Sequence, residues 1–149
     1  MRKFAGIAIV VVVVLQLSAI LTFFFIYPRY RTKSFREAQS DTPVACDIER
    51  SFEPATMRTI RETGWIRELD RALSRAEYFR PNHPHREKEF YLRVTRESSR
   101  TDQYLVFLDT RGGEYDYFSV VKRSGKTTRY GSAFRSPDLR RLMEQSGLK

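Results

Sequence analysis

The sequence predicts an α+β protein: one N-terminal transmembrane helix, then a small domain in which a 3-4 stranded antiparallel meander is covered by two helices. Three observations predict it. An uncharged apolar run occupies Phe4 to Tyr27, a helical period follows from Gly64 to Phe79, and beyond Pro81 the apolar residues recur with a period of two. A chain of 149 residues has room for one domain. Its mean hydropathy of −0.51 is an average over an aliphatic start and a polar, basic remainder.

In the first run only Gln16, Ser18 and Thr22 are clearly polar, and at ~1.5 Å rise per residue the segment is long enough for a ~30 Å hydrocarbon core. Lipid offers the backbone no hydrogen-bond partner, so a helix is required. A cleaved signal peptide would have a shorter apolar core followed by a small-x-small site, and none lies near the end of the run. Residues 1–28 are therefore read as an uncleaved signal anchor of a single-pass cell-membrane protein. Gln16, Ser18 and Thr22 are its candidates for helix self-association, since a mid-membrane amide lacks water.

Orientation rests on flanking charge. Arg2 and Lys3 precede the run, while Arg29, Arg31, Lys33 and Arg36 follow it and are the candidate lipid-headgroup contacts. The positive-inside rule taken literally puts the C-terminal domain in the cytosol. A charged stub followed at once by an apolar run has the form of a signal anchor, and export of the domain is the expectation adopted.

Residues 29–55 carry scattered Phe35, Val44, Ile48 and Phe52 at no sustained period, which predicts a polar linker, part of which, especially Val44 to Phe52, could dock on the domain. Cys46, the single cysteine, is read as an unpaired linker thiol; alone it forms no internal disulfide and no CxxC site. The domain is expected over 56–149, opening with a short strand at Met57 to Arg61 or an earlier helix start.

In the helix predicted from Gly64 to Phe79, Trp65, Ile66, Leu69, Ala72, Leu73, Ala76 and Phe79 form the apolar stripe, with Thr63 as N-cap and Pro81 as stop. Strands are expected at Phe90 to Thr95, Gln103 to Asp109, Tyr115 to Lys122 and, more weakly, Thr127 to Ser132. Arg111-Gly112-Gly113-Glu114 and Arg123-Ser124-Gly125-Lys126 supply the turns. Ser136-Pro137-Asp138 opens a last helix, with Leu139, Leu142 and Met143 inward and Gly147 closing it.

The chemistry-bearing motifs are incomplete. Ser124-Gly125-Lys126-Thr127 resembles the end of a phosphate-binding loop, but Val120 stands where its first glycine belongs, and the segment joins two strands. His83 and His85 make an HxH pair with no third ligand fixed, so no metal and no cofactor is assigned. Gly131-Ser132-Ala133 lacks a nucleophile elbow, and Asp109, Glu114 and Asp116 read as turn and edge carboxylates, so no catalytic residue is assigned.

All basic residues except Arg2 and Lys3 lie after the membrane run, and the formal charge is +9. That excess favours anionic partners, with lipid preferred over nucleic acid because no nucleic-acid module is recognisable. The functional expectation is a non-enzymatic interaction or assembly module of the cell envelope, partnered by the bilayer and by another membrane protein or a second copy. A cytosol-facing adaptor for lipid headgroups or nucleic acid, or an enzyme on an unknown small molecule, are the alternatives. Tyr91, Arg93, Tyr104, Tyr115 and Tyr117 are the candidate interaction face, on the sheet surface opposite the helices.

Overall fold

The computed structural model describes residues 2–39, 41–50, 57–124 and 127–148. Helix α1 (Arg2–Leu21) runs through a π-helical turn at Thr22–Ile26 directly into α2 (Tyr27–Glu37). Val10–Glu37 is long and apolar enough to cross a membrane by length and composition. Pro28, near the start of α2, cannot donate a backbone hydrogen bond, and it follows closely on the π-helical turn, the kind of local irregularity by which a continuous helix absorbs a lost bond. Every side chain from Val10 to Tyr27 is exposed in the isolated chain.

The rest is α+β around one antiparallel sheet: β1 (Pro43–Arg50), β2 (Arg58–Ile60), α3 (Thr63–Ser74), β3 (Glu77–Phe79), β4 (Arg86–Arg96), β5 (Thr101–Asp109), β6 (Tyr117–Ser124), β7 (Thr127–Arg135) and α4 (Leu139–Gln145). Among the described residues the sheet has seven strands in the order β2-β1-β4-β5-β6-β7-β3, not three or four, although β4 to β7 do form the expected meander. Since β2 and β3 occupy opposite edges, α3 crosses the sheet face between them. Both edge strands have three residues, which limits the backbone open to pairing.

Three helices, not two, lie on the sheet. The stretch read as a linker is α2 followed by β1, which pairs with β4 through Asp47 opposite Arg93 and Ile48 opposite Leu92. Cys46 and Ile48 point into the core, so Cys46 is a buried strand residue and not a linker thiol. Burial pushes its thiol pKa up.

Helix α3 ends at Ser74, short of the expected Phe79. Ala76, Tyr78 and Phe79 fit a helical stripe, but Ala76 and Tyr78 fit a strand equally, and β7 supplies backbone partners through Tyr78 opposite Phe134. Ser136 precedes a turn in which Leu139 N–H donates to its carbonyl at 3.2 Å, and Asp138 takes the N-cap position. Gly147 ends α4 with φ +73°, a conformation that suits glycine. The Gly112 turn contains a 3₁₀ segment at Gly113–Tyr115, and Gly125 and Lys126 of the second turn lie outside the described residues.

The main core lies between sheet and helices. Phe90, Leu92 and Val94 of β4, with Tyr104, Val106 and Leu108 of β5, meet Trp65, Ile66, Leu69 and Leu73 of α3 and Leu142 and Met143 of α4. Trp65 donates its indole N–H to the Leu142 carbonyl at 3.2 Å, which satisfies the one polar atom that its burial would otherwise orphan. A smaller cluster of Leu105, Phe107, Tyr117, Val121 and Ala133 occupies the opposite sheet face.

Candidate membrane-proximal site

The junction between the long apolar helix and the sheet is built by α2. Phe35 is its anchor: the ring is buried, stacks on Phe134 with centroids 4.2 Å apart, and reaches Phe118 at 5.6 Å. Around it the polar residues of α2 dock on the sheet edge. Thr32 Oγ1 accepts the Tyr78 amide at 2.8 Å, and Arg36 donates to the Ala76 carbonyl at 3.2 Å. Arg31 donates to Ser132.

At the end of α2, Arg96 is 1% exposed and therefore needs full compensation. Its Nε meets Asp102 at 3.0 Å, Nη1 donates to the Asp41 carbonyl at 2.6 Å, and Nη2 donates to Gln39. Tyr104 closes this network, donating to Gln39 at 3.2 Å, and burial is the main cause that pushes its phenol pKa up to about 12. One β4 cation thus holds both Gln39 and Asp41, between α2 and β1.

The same edge meets the apolar helix itself. Tyr27 and Tyr78 pack edge to face at 5.5 Å, and the Arg80 guanidinium lies 3.6 Å from the Phe23 ring centroid. Such cation–π contacts strengthen where water is excluded.

Of the expected headgroup contacts, Arg31 and Arg36 are engaged with the domain, Lys33 sits 3.8 Å from Glu37, and Arg29 is exposed. On a helix turning about 100° per residue, Ser18 and Thr22 share a strip, whereas Gln16 lies nearly opposite Ser18. Gln16 instead continues the strip of Ala19 and Phe23 along α1.

The expected interaction face is divided. Tyr91 and Tyr117 are on the face away from the helices, where Tyr91 donates to Gln103 at 2.6 Å and Tyr117 stacks on Phe107 at 4.7 Å. Arg93 is on that face with its Nη2 3.6 Å from the Met57 sulfur. Tyr104 is a correction: Leu92 is its partner across β4, so it points into the helix-covered core at 2% exposure. Tyr115 belongs to the 3₁₀ turn, with Arg111 over its ring at 3.9 Å.

Two of the carboxylates read as solvated turn and edge groups are buried. Asp109 accepts Arg111 at 2.8 Å and the His85 amide at 2.8 Å, and the Arg111 guanidinium is the main reason its pKa falls below the usual carboxylate range. Asp116 accepts Arg140 at 2.9 Å and the Asp109 amide at 2.8 Å. Their acceptor sites are used in joining β5, the turn and α4. His83 and His85 are exposed, and among the described residues no group of three or more His, Cys, Asp and Glu side chains converges as metal ligands would. Compared with protein-family models, curated proteins and solved structures, the chain matches none.

Proposed function

We propose that this is a single-pass membrane protein whose α+β domain, exported across the bilayer, serves without catalysis as an interaction or assembly module held at the membrane surface. The observation that carries the reading is the unbroken passage of the membrane helix into α2, whose Phe35 is part of the domain core. A flexible tether would let the domain sample a volume of solvent; a docked helix fixes which edge faces the lipid. The buried carboxylates support a structural role over an acid–base one, because Asp109 and Asp116 are held by Arg111 and Arg140. Tyr91 and Arg93, half-buried on the face away from the helices, remain the proposed partner surface, whereas Tyr117 at 4% exposure belongs to the second cluster beneath it.

Topology decides between this reading and a cytosol-facing adaptor, which the basic residues after the span favour. Cys46 is buried and cannot report sidedness in the folded protein. In a Cys46→Ala background, Glu97→Cys puts a thiol at an exposed position. Labelling by an impermeant maleimide in intact cells is the expected result; labelling only after lysis would place the domain in the cytosol.

A further inference from the structure

On the sheet face away from the helices, an open groove of about 860 Å³ reaches from Arg86, above the Phe107 ring at 4.3 Å, to Arg80 beside the membrane helix. Its floor is apolar, made by Phe79, Phe107 and Tyr117, while Arg31, Arg80 and Arg86 supply its charge. Glu89 also lines it and is ion-paired with Arg86 at 3.1 Å. Arg31 and Arg80 have no carboxylate within ion-pair distance among the described residues; their side chains donate to the hydroxyls of Ser132 and Tyr78, the latter at 3.1 Å. A guanidinium carries five N–H donors, so most of theirs are available, and stacking of Arg80 on Phe23 holds its plane. The groove is thus a net cationic rim over an aromatic floor.

Its position selects the ligand. A second crevice of about 610 Å³, lined by Ala19, Thr22, Phe23 and Tyr27 of the membrane helix, shares Tyr78 and Arg80 with the groove. Ala19 to Tyr27 covers about 12 Å of helix, most of one ~15 Å hydrocarbon half-thickness. A soluble anion would occupy the cationic end and leave the crevice unfilled. We propose that the two together hold one anionic phospholipid of the surrounding leaflet, its phosphate at Arg31, Arg80 and Arg86 and an acyl chain along Ala19 and Phe23. This rests on the membrane-spanning reading and adds to it a specific lipid site, distinct from general attraction by Arg29 and Lys33.

The test uses the full chain in mild detergent, titrated with phosphatidylglycerol or phosphatidylcholine, with bound lipid read by native mass spectrometry. Wild type retains phosphatidylglycerol in preference, and Arg80→Gln weakens it about tenfold by removing charge-assisted bonds to the phosphate. Ala19→Phe, which fills the crevice and leaves the charge unchanged, weakens it as well. Arg67→Gln, the same charge change at an exposed site on α3, has no effect. The Trp65 emission spectrum checks that each variant is folded, and Arg31→Gln replaces any variant that is not. Equal retention of the two lipids, or equal loss in Arg67→Gln and Arg80→Gln, would overturn the site. Full displacement by soluble glycerol phosphate together with an inert Ala19→Phe would show a headgroup-only anion site and overturn it too. Recovery of the protein in the soluble cell fraction would instead refute the membrane span itself.

Discussion

Phe35→Ala is the most direct perturbation of the docked helix. The ring is 7% exposed and in contact with Phe134, Phe118 and Tyr104, so its removal loses the transfer free energy of a buried aromatic and leaves a cavity at the only fully buried position of α2. Core Phe→Ala changes cost ~3 to 5 kcal/mol, and the lower end applies here because α2 can move into the space or detach. At a urea m-value of ~1.5 to 2 kcal/mol/M, a loss of ~3 kcal/mol lowers the unfolding midpoint by ~1.5 to 2 M. Trp65 is the single tryptophan and is buried between α3 and α4, so its fluorescence in detergent follows unfolding of the core without a label. Tyr30→Ala, at a position 64% exposed on the same helix, is the control and should leave the midpoint within ~0.3 M. Trypsin should also cleave Phe35→Ala faster after Arg31 and Lys33. A variant with wild-type midpoint and cleavage rate would mean that α2 is not part of the folded unit.

Other perturbations have equally definite outcomes. Asp102→Ala leaves the buried Arg96 without its carboxylate and should cost ~3 kcal/mol in the same urea assay, more than replacing Arg96 itself by Met. Asp109 has a folded pKa below its ordinary 3.8, so its contribution is fully present above about pH 4 and is lost as the pH falls towards the folded value. Acid titration of stability should therefore be shallower in Asp109→Asn than in wild type, and identical profiles would refute this. For self-association, Gln16→Leu should lower the yield of in-membrane cross-linked dimer; an unchanged yield removes the Gln16 contact.

What could be read from the sequence follows from how many residues carried each signal. The membrane run, the α3 stripe and the β4 alternation each involve several apolar residues in register, and all three are present. The docking of α2 was hidden because Phe35 is its only buried apolar residue, and the contacts around it come from Arg31, Thr32 and Arg36, which look like a solvated, basic flank. A single anchor makes no period. In β1, Cys46 and Ile48 alternate with Asp47 and Glu49, a two-residue signal that could have found the strand. Tyr104 was assigned to the wrong face because β5 is apolar on both sides: Tyr104, Val106 and Leu108 enter the main core, while Leu105 and Phe107 enter the second cluster. Alternation marks a face only where the two faces differ. Arg96 and Asp116 carried no signal at all, since burial of a charge depends on partners distant in the chain, Asp41 and Arg140 among them.

Docking of the apolar N-terminal helix and the sheet domain into one unit is tested most directly by a cross-link between α2 and β3. The Thr32 hydroxyl accepts the Tyr78 backbone amide at 2.8 Å, which brings α2 and β3 into direct contact at these two residues. In a Cys46→Ala background in native membranes, Thr32→Cys with Tyr78→Cys should be joined by a short, flexible bifunctional methanethiosulfonate reagent, seen as a mobility shift reversed by reductant. Tyr30→Cys with Tyr78→Cys, from the exposed side of the same helix, should not. Equal cross-linking of the two pairs, or none in either, would contradict docking and return residues 29–37 to the status of a free tether.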